Sequence, residues 1–131
     1  MPLPENRAWE SLLRDRRVLV IEDDYFWADE LSAGLRRAGA LVLGPTGTLA
    51  SALALLAPEP ELDAAVIDMN LRGERAEPLV DRLVTLKVPL LLVTGYECSS
   101  LSEAHIGLPC LEKPVALAAV LTALSRLLPQ G

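Results

Sequence analysis

The stretch RVLVIEDD, Arg17 to Asp24, decides the fold class of this chain. Arg17 to Ile21 is a β-branched apolar run without polar alternation, which suits a strand buried on both faces of a parallel sheet. It ends abruptly in three acids. Phe26, Trp27, Leu31, Leu35 and Ala38 then recur at helical spacing until Gly39 supplies a stop. Strand, acidic turn and helix together make half of a βαβ unit.

The same alternation continues along the chain. Ala40 to Leu43, closed by Gly44-Pro45, is a second strand. A helix from Thr48 to Ala57 follows, capped by Thr48 and stopped before Pro58 and Pro60. Ala64 to Ile67 is a third strand running into Asp68. A loop with Gly73 leads to a helix over roughly residues 75–86, with Pro78 tolerated only in its first turn. Val88 to Thr94 is a fourth strand, Leu108 to Leu111 a weaker fifth, and Val115 to Leu128 the last helix. Between Thr94 and Leu108 the text GYECSSLSEAHIG is polar, with Leu101, Ala104 and Ile106 as its few apolar anchors, so a brief or mobile fourth helix is expected. His105 is expected at the surface of this loop, not as a ligand. The pattern predicts an α/β fold, (βα)5, with a doubly wound parallel sheet covered on both faces and right-handed crossovers.

A length of 131 residues with 51% apolar residues fits one domain with a real core. Residues 16–131 are expected to form it, with 1–15 as an N-terminal extension containing a helical turn around Trp9 to Leu13. The longest apolar runs, such as Val115 to Leu121, fall well short of the roughly 20 residues a membrane span needs. The N-terminal text has no signal-peptide character, so a cytoplasmic location is expected. A net charge of −6 and a set of two Trp, two Tyr and one Phe disfavour direct nucleic-acid binding. Cys98 and Cys110 have no metal-ligand spacing and are expected to be free thiols in a reducing compartment.

In an open parallel sheet, ligands bind at the carboxyl ends of the strands. Glu22, Asp23 and Asp24 follow strand one, Asp68 ends strand three, Thr94 ends strand four, and Lys113 follows strand five. Singly, each suits a solvated turn or a helix cap. Jointly, they stack acids, a hydroxyl and an ammonium at one edge. Close carboxylates repel unless a cation joins them, and an oxygen-only set suits Mg²⁺. A carboxylate in that setting can attack phosphorus, with a hydroxyl and an ammonium stabilising the developing charge.

With VLVIEDD, VIDMN, LLVTG and LEKPV in this order, the chain resembles a response-regulator receiver domain of two-component signalling over about residues 16–128. The resemblance implies a flavodoxin-like sheet of strand order 2-1-3-4-5. It implies that Asp68 is the phosphoacceptor and that Asp23 and Asp68 bind Mg²⁺ directly, with Glu22 acting through water. Asn70 would offer its backbone carbonyl to the metal, Thr94 would be the switching hydroxyl, and Lys113 would contact the phosphoryl group. It also implies a cis Lys113–Pro114 bond. Asp24 suits either a helix cap or a metal ligand, and the cap is favoured. Implied partners are a sensor histidine kinase or phosphotransfer protein and a downstream protein, with no nucleic acid or membrane, for a monomer or weak dimer.

One position departs from the family pattern. Cys110 stands three residues before Lys113, where most receivers carry an aromatic. Tyr96, two residues after Thr94, is instead similar in placement to the aromatic of stand-alone receivers with a "FAT GUY" motif, and is a second switch candidate. The leading expectation is a non-enzymatic receiver, with slow self-dephosphorylation at most, serving as an output or a phosphate sink. The alternatives are a pseudo-receiver that binds partners without phosphorylation and an Asp-nucleophile phosphatase. The phosphatase would want a second acid where Asn70 stands. No glycine-rich nucleotide-binding sequence is present.

Overall fold

Side chains alternate between two apolar layers along each central strand, and that alternation builds the molecule. The computed structural model describes residues 11–128. Its strands are β1 (Arg17–Ile21), β2 (Leu41–Thr46), β3 (Ala64–Asp68), β6 (Leu90–Thr94) and β7 (Cys110–Glu112), ordered β2-β1-β3-β6-β7 with parallel neighbours. This is the 2-1-3-4-5 order of a flavodoxin-like fold. A small antiparallel pair, β4 (Asn70–Leu71) and β5 (Glu74–Arg75), follows β3. The helices are α1 (Tyr25–Arg37), α2 (Leu49–Leu56), α3 (Glu77–Thr85) and α4 (Leu117–Leu127).

Val18, Val20, Val66, Leu91 and Val93 face Leu31 and Leu35 of α1 and Val120, Leu121 and Leu124 of α4. Leu19, Ile21, Ile67, Leu90 and Leu92 face the other way, toward Ala52 and Leu56 of α2 and Leu79, Val80 and Leu83 of α3. Period-two alternation within wholly apolar strands thus feeds both layers at once.

Several elements differ from the sequence expectation. β2 continues through Gly44-Pro45 to Thr46, because its register against β1 shifts between Leu19 and Ile21 and absorbs the irregular dipeptide. The loop at Gly73 is a hairpin turn, with Arg72 (φ 53°) and Gly73 (φ 87°) in left-handed backbone. The fifth strand begins two residues later than expected, at Cys110. No fourth α-helix forms between β6 and β7: a 3-10 turn at Cys98–Ser100 stands there, consistent with the scarcity of apolar anchors. Residues 11–13 are helical and Leu13 is fully buried in the α1/α4 layer; Trp9, the other end of the expected turn, lies outside the described residues.

Two chemical expectations are also overturned. Cys98 and Cys110 are not free thiols; they form a disulfide, because the 3-10 turn folds back on the start of β7 with a Cα separation of 6.0 Å. His105 is not a surface residue: its side chain is buried, with Nε2 2.7 Å from Asp81 Oδ1, because the turn-rich segment packs it down onto α3. Among the described residues no helix is long and apolar enough to cross a membrane.

Asp24 begins α1 as its cap, accepting the N–H groups of Phe26 at 3.0 Å and Trp27 at 3.2 Å. Asp24→Ala should therefore lower stability by about 1 kcal/mol. Asp24→Asn keeps an accepting oxygen and should stay close to wild type. Urea denaturation in metal-free buffer checks the pair; equal midpoints for Asp24→Ala and wild type would remove the cap from the account.

Candidate functional site

The sheet carries its functional side chains to one edge because β1, β3 and β6 stop nearly level. β1 ends at Ile21, with a last bond from the Glu22 N–H to the Thr46 carbonyl at 3.0 Å, so Glu22 and Asp23 stand just past the sheet; Asp68 ends β3 and Thr94 ends β6. β7 ends at Glu112, immediately before Lys113, whose N–H donates to the Thr94 carbonyl at 2.7 Å. Glu22, Asp68 and Thr94 are each only 4% exposed.

Glu22, Asp23 and Asp68 each bring a carboxylate oxygen within 4.8 Å of the others. Backbone amides hold all three. Glu22 Oε2 accepts from Asp24 N–H at 3.0 Å, Asp68 Oδ1 from Asn70 N–H at 3.0 Å, and Asp23 Oδ2 from Arg72 N–H at 2.9 Å. Lys113 Nζ lies 3.0 Å from Asp68 Oδ2 and 3.2 Å from Glu22 Oε1. The Lys113–Pro114 bond that follows is cis, and so is Gly44–Pro45, which the sequence did not signal.

A cleft of about 440 Å³ opens over these groups, lined by Asp23, Asp68, Asn70, Arg72, Tyr96 and Lys113 among others. Thr94 lines a neighbouring cavity of about 370 Å³ with Met69, Arg75, Tyr96, Ser100 and Leu101. Its hydroxyl oxygen accepts the Tyr96 N–H at 3.0 Å. Tyr96 borders both spaces with its side chain largely exposed, so it does not pack into the sheet edge. Asn70 uses its side-chain oxygen within the hairpin, accepting Gly73 N–H at 2.9 Å.

Burial pushes the Glu22 carboxyl from an ordinary 4.5 up to about 8, and the Asp68 carboxylate adds to the rise. The Asp24 amide and Lys113 oppose it without cancelling it. Burial also works against the charge on Asp23, but the Arg72 N–H and hydrogen bonds with Glu22 and Asp68 outweigh it and hold that group below its usual range. For Lys113, burial alone would lower the pKa; Asp68 first and Glu22 second raise it above the ordinary lysine value. The cluster thus retains a proton near neutrality. A hard divalent cation is the other way to relieve its repulsion, and three carboxylates beside an open cleft are the oxygen donors Mg²⁺ takes, with room for its waters.

Sequence reasoning located Glu22, Asp23, Asp68, Thr94 and Lys113 from strand ends alone. It missed three supports. Arg72 contributes its backbone N–H, which no side-chain pattern reports. Gly47 passes so close beneath the acidic turn that a Cβ there would stand 3.0 Å from Asp23 Cα. Glu112 accepts the Cys98 N–H at 2.8 Å, tying the 3-10 turn to β7.

No family model and no curated protein matches the sequence, whereas solved structures do. SdrG from Sphingomonas melonis Fr1 is 31% identical at a TM-score of 0.73, over 86% of this chain and 96% of that one. A response regulator receiver protein from Sinorhizobium medicae WSM419 is 25% identical at a TM-score of 0.72, over 88% and 95% of the two chains. A response regulator protein from Burkholderia pseudomallei is 26% identical at a TM-score of 0.69, over 84% of this chain and 66% of that one. That structure contains a phosphorylated aspartic acid, a calcium ion and citrate.

A five-stranded parallel sheet with clustered acids and a lysine at its carboxyl edge is the architecture of a signalling receiver. The chain belongs to the response-regulator receiver family of two-component phosphorelay signalling.

The raised Glu22 pKa fixes a sign for pH dependence. The folded protein keeps a proton that the unfolded chain releases near 4.5, so this stabilisation is full below that pH and is lost as pH rises through about 8. Metal-free wild type should lose stability between about pH 5 and pH 9, by on the order of a few kcal/mol. Glu22→Gln should show a flatter profile over the same window. Denaturation midpoints across pH are the measurement; parallel profiles would remove Glu22 as the titrating group.

Proposed function

We propose that this chain is a receiver that takes a phosphoryl group onto Asp68 from a phosphohistidine. The donor would be a sensor histidine kinase or a phosphotransfer protein. The observation that carries this reading is the buried Asp68 carboxylate, held by the Asn70 amide on one oxygen and by Lys113 at 3.0 Å on the other, at the mouth of an open cleft. Asp23 and Asp68 would hold a Mg²⁺ ion directly, Glu22 would act on it through water, and the Asn70 carbonyl would complete the protein's share. When bound, Mg²⁺ supplies charge neutralisation for the incoming phosphoryl oxygens.

The chemistry asked of the chain is modest. An Asp68 oxygen attacks phosphorus, the phosphorus–nitrogen bond of the donor breaks, and its electron pair returns to the imidazole. Lys113 exchanges its Asp68 partner for a phosphoryl oxygen, stabilising the charge that builds there. The Thr94 hydroxyl turns to the same group, which releases its hold on the Tyr96 N–H. Residues 95–107 then follow, and the altered face recruits a downstream protein; a chain that serves as a phosphate sink would use only the first step. Hydrolysis of the acyl phosphate is slow, and turnover is not the task. We place the protein in the cytoplasm as a monomer or weak dimer, with residues 16–131 as the receiver unit and 1–15 as an N-terminal extension.

Incubation with a small phosphodonor and Mg²⁺ should add one phosphoryl group to wild type and none to Asp68→Asn, read by intact mass. Labelling of the variant would move the acceptor elsewhere. Absence of labelling in both would favour the pseudo-receiver reading. In the same assay Asp23→Ala should abolish Mg²⁺-dependent labelling and Asp24→Ala should retain it. The reverse pattern would shift the acidic pair one residue along the chain.

A further inference from the structure

The Cys98–Cys110 disulfide sits where the receiver's moving part should be. Cys98 opens the 3-10 turn four residues after Thr94, and Cys110 opens β7 three residues before Lys113. On the cleft side of the bridge, Lys113 N–H is bonded to the Thr94 carbonyl at 2.7 Å. Gly95, Tyr96 and Glu97 are therefore a short span fixed at both ends: by Thr94 on β6 and by the bridge to β7. Any inward turn of the Thr94 hydroxyl must break its 3.0 Å bond to Tyr96 N–H and displace that span. With the bridge closed, that span is held at both ends.

The bridge also lies outside both apolar layers. Both apolar layers close without it: Cys110 only borders the α2/α3 layer, and Cys98 belongs to neither. Both cysteines are half-buried, and Glu97, Ser99, Ser100, Pro109 and Glu112 around them are exposed. A reductant can reach such a bond, whereas a core disulfide is shielded.

We propose that Cys98–Cys110 is a thiol–disulfide exchange site that clamps the segment after Thr94, so that a dithiol reductant decides whether this segment can answer the state of Asp68. The proposal rests on the reading of Asp68 as phosphoacceptor. A thiolate of the reductant attacks one sulfur and forms a mixed disulfide, releasing the other cysteine as thiolate. The second thiol of the reductant then attacks the mixed bond. Two electrons and two protons pass to the protein, leaving Cys98 and Cys110 as thiols and the reductant as its own disulfide. Afterwards the Cys98 N–H to Glu112 bond remains as a tie that a moving loop can break.

The test uses the full chain, oxidised or treated with dithiothreitol. Thiol alkylation should label neither cysteine before reduction and both after it. Hydrogen exchange over residues 95–107, without phosphodonor, should quicken on reduction by on the order of tenfold or more, as expected for release of a short tether. With phosphoramidate and Mg²⁺, protection of this segment should change in the reduced protein and stay fixed in the oxidised one. Cys98→Ser and Cys110→Ser should each behave as reduced protein whether or not dithiothreitol is present. Two alkylated thiols in protein equilibrated with an oxidant, or equal exchange in both redox states, would overturn the clamp. If neither redox state gains a phosphoryl group by mass, the acceptor reading fails instead, and the alkylation and donor-free exchange results still judge the clamp.

Discussion

Three carboxylates held within 4.8 Å of one another by backbone amides set the terms for everything around them. Left alone in a buried setting, such a group would take up protons or push its members apart. Here the second escape is closed, since Glu22 is fixed by Asp24, Asp68 by Asn70 and Asp23 by Arg72. Without a cation the cluster keeps a proton on Glu22; the rest of the compensating charge comes from outside it. Lys113 brings one unit of it across the sheet edge, and the remaining imbalance is what makes the cleft receptive to a cation and a phosphoryl group together. Fold and site are thus one problem. The strands must end level for the acids to meet, and β7 must end where Lys113 can reach them.

Much of this was legible in the sequence because strand ends in a doubly wound sheet are informative positions. Buried parallel strands appear as uninterrupted apolar runs, so the residue that breaks each run marks the sheet edge. Glu22, Asp68 and Thr94 were found in that way, and the structure brings Glu22, Asp23, Asp68 and Lys113 together as their positions suggested. The cap at Thr48 was equally plain, and Asp24, which the sequence left between cap and metal ligand, is the cap of α1, since each oxygen-bearing side chain meets the amides its helix leaves open.

What escaped the sequence has a common physical cause. Backbone donors such as the Arg72 N–H leave no trace in side-chain identity. The extended β2 depends on a register shift against β1, a pairing property that one strand's text does not contain. The Cys98–Cys110 bond depends on how tightly residues 95–107 fold back, and a polar segment without a fourth helix gives no periodicity from which to judge that. The buried His105 follows from the same segment: the ring is covered by turns whose path is set by tertiary contact, not by local preference.

The sheet divides the interior into two apolar bodies that share strands but hardly any side chains. The α1/α4 body holds Leu13, Leu31, Leu35 and Val120; the α2/α3 body holds Leu56, Leu79 and Leu83, with Leu101, Leu108 and Cys110 along its border. The apolar anchors of the segment after Thr94, Leu101 and Leu108, thus pack on the α2/α3 side, while Gly95 lies beside Trp27 and Val115 of the other. In a receiver built this way, a shift after Thr94 reaches the α2/α3 surface through Leu101 and Leu108.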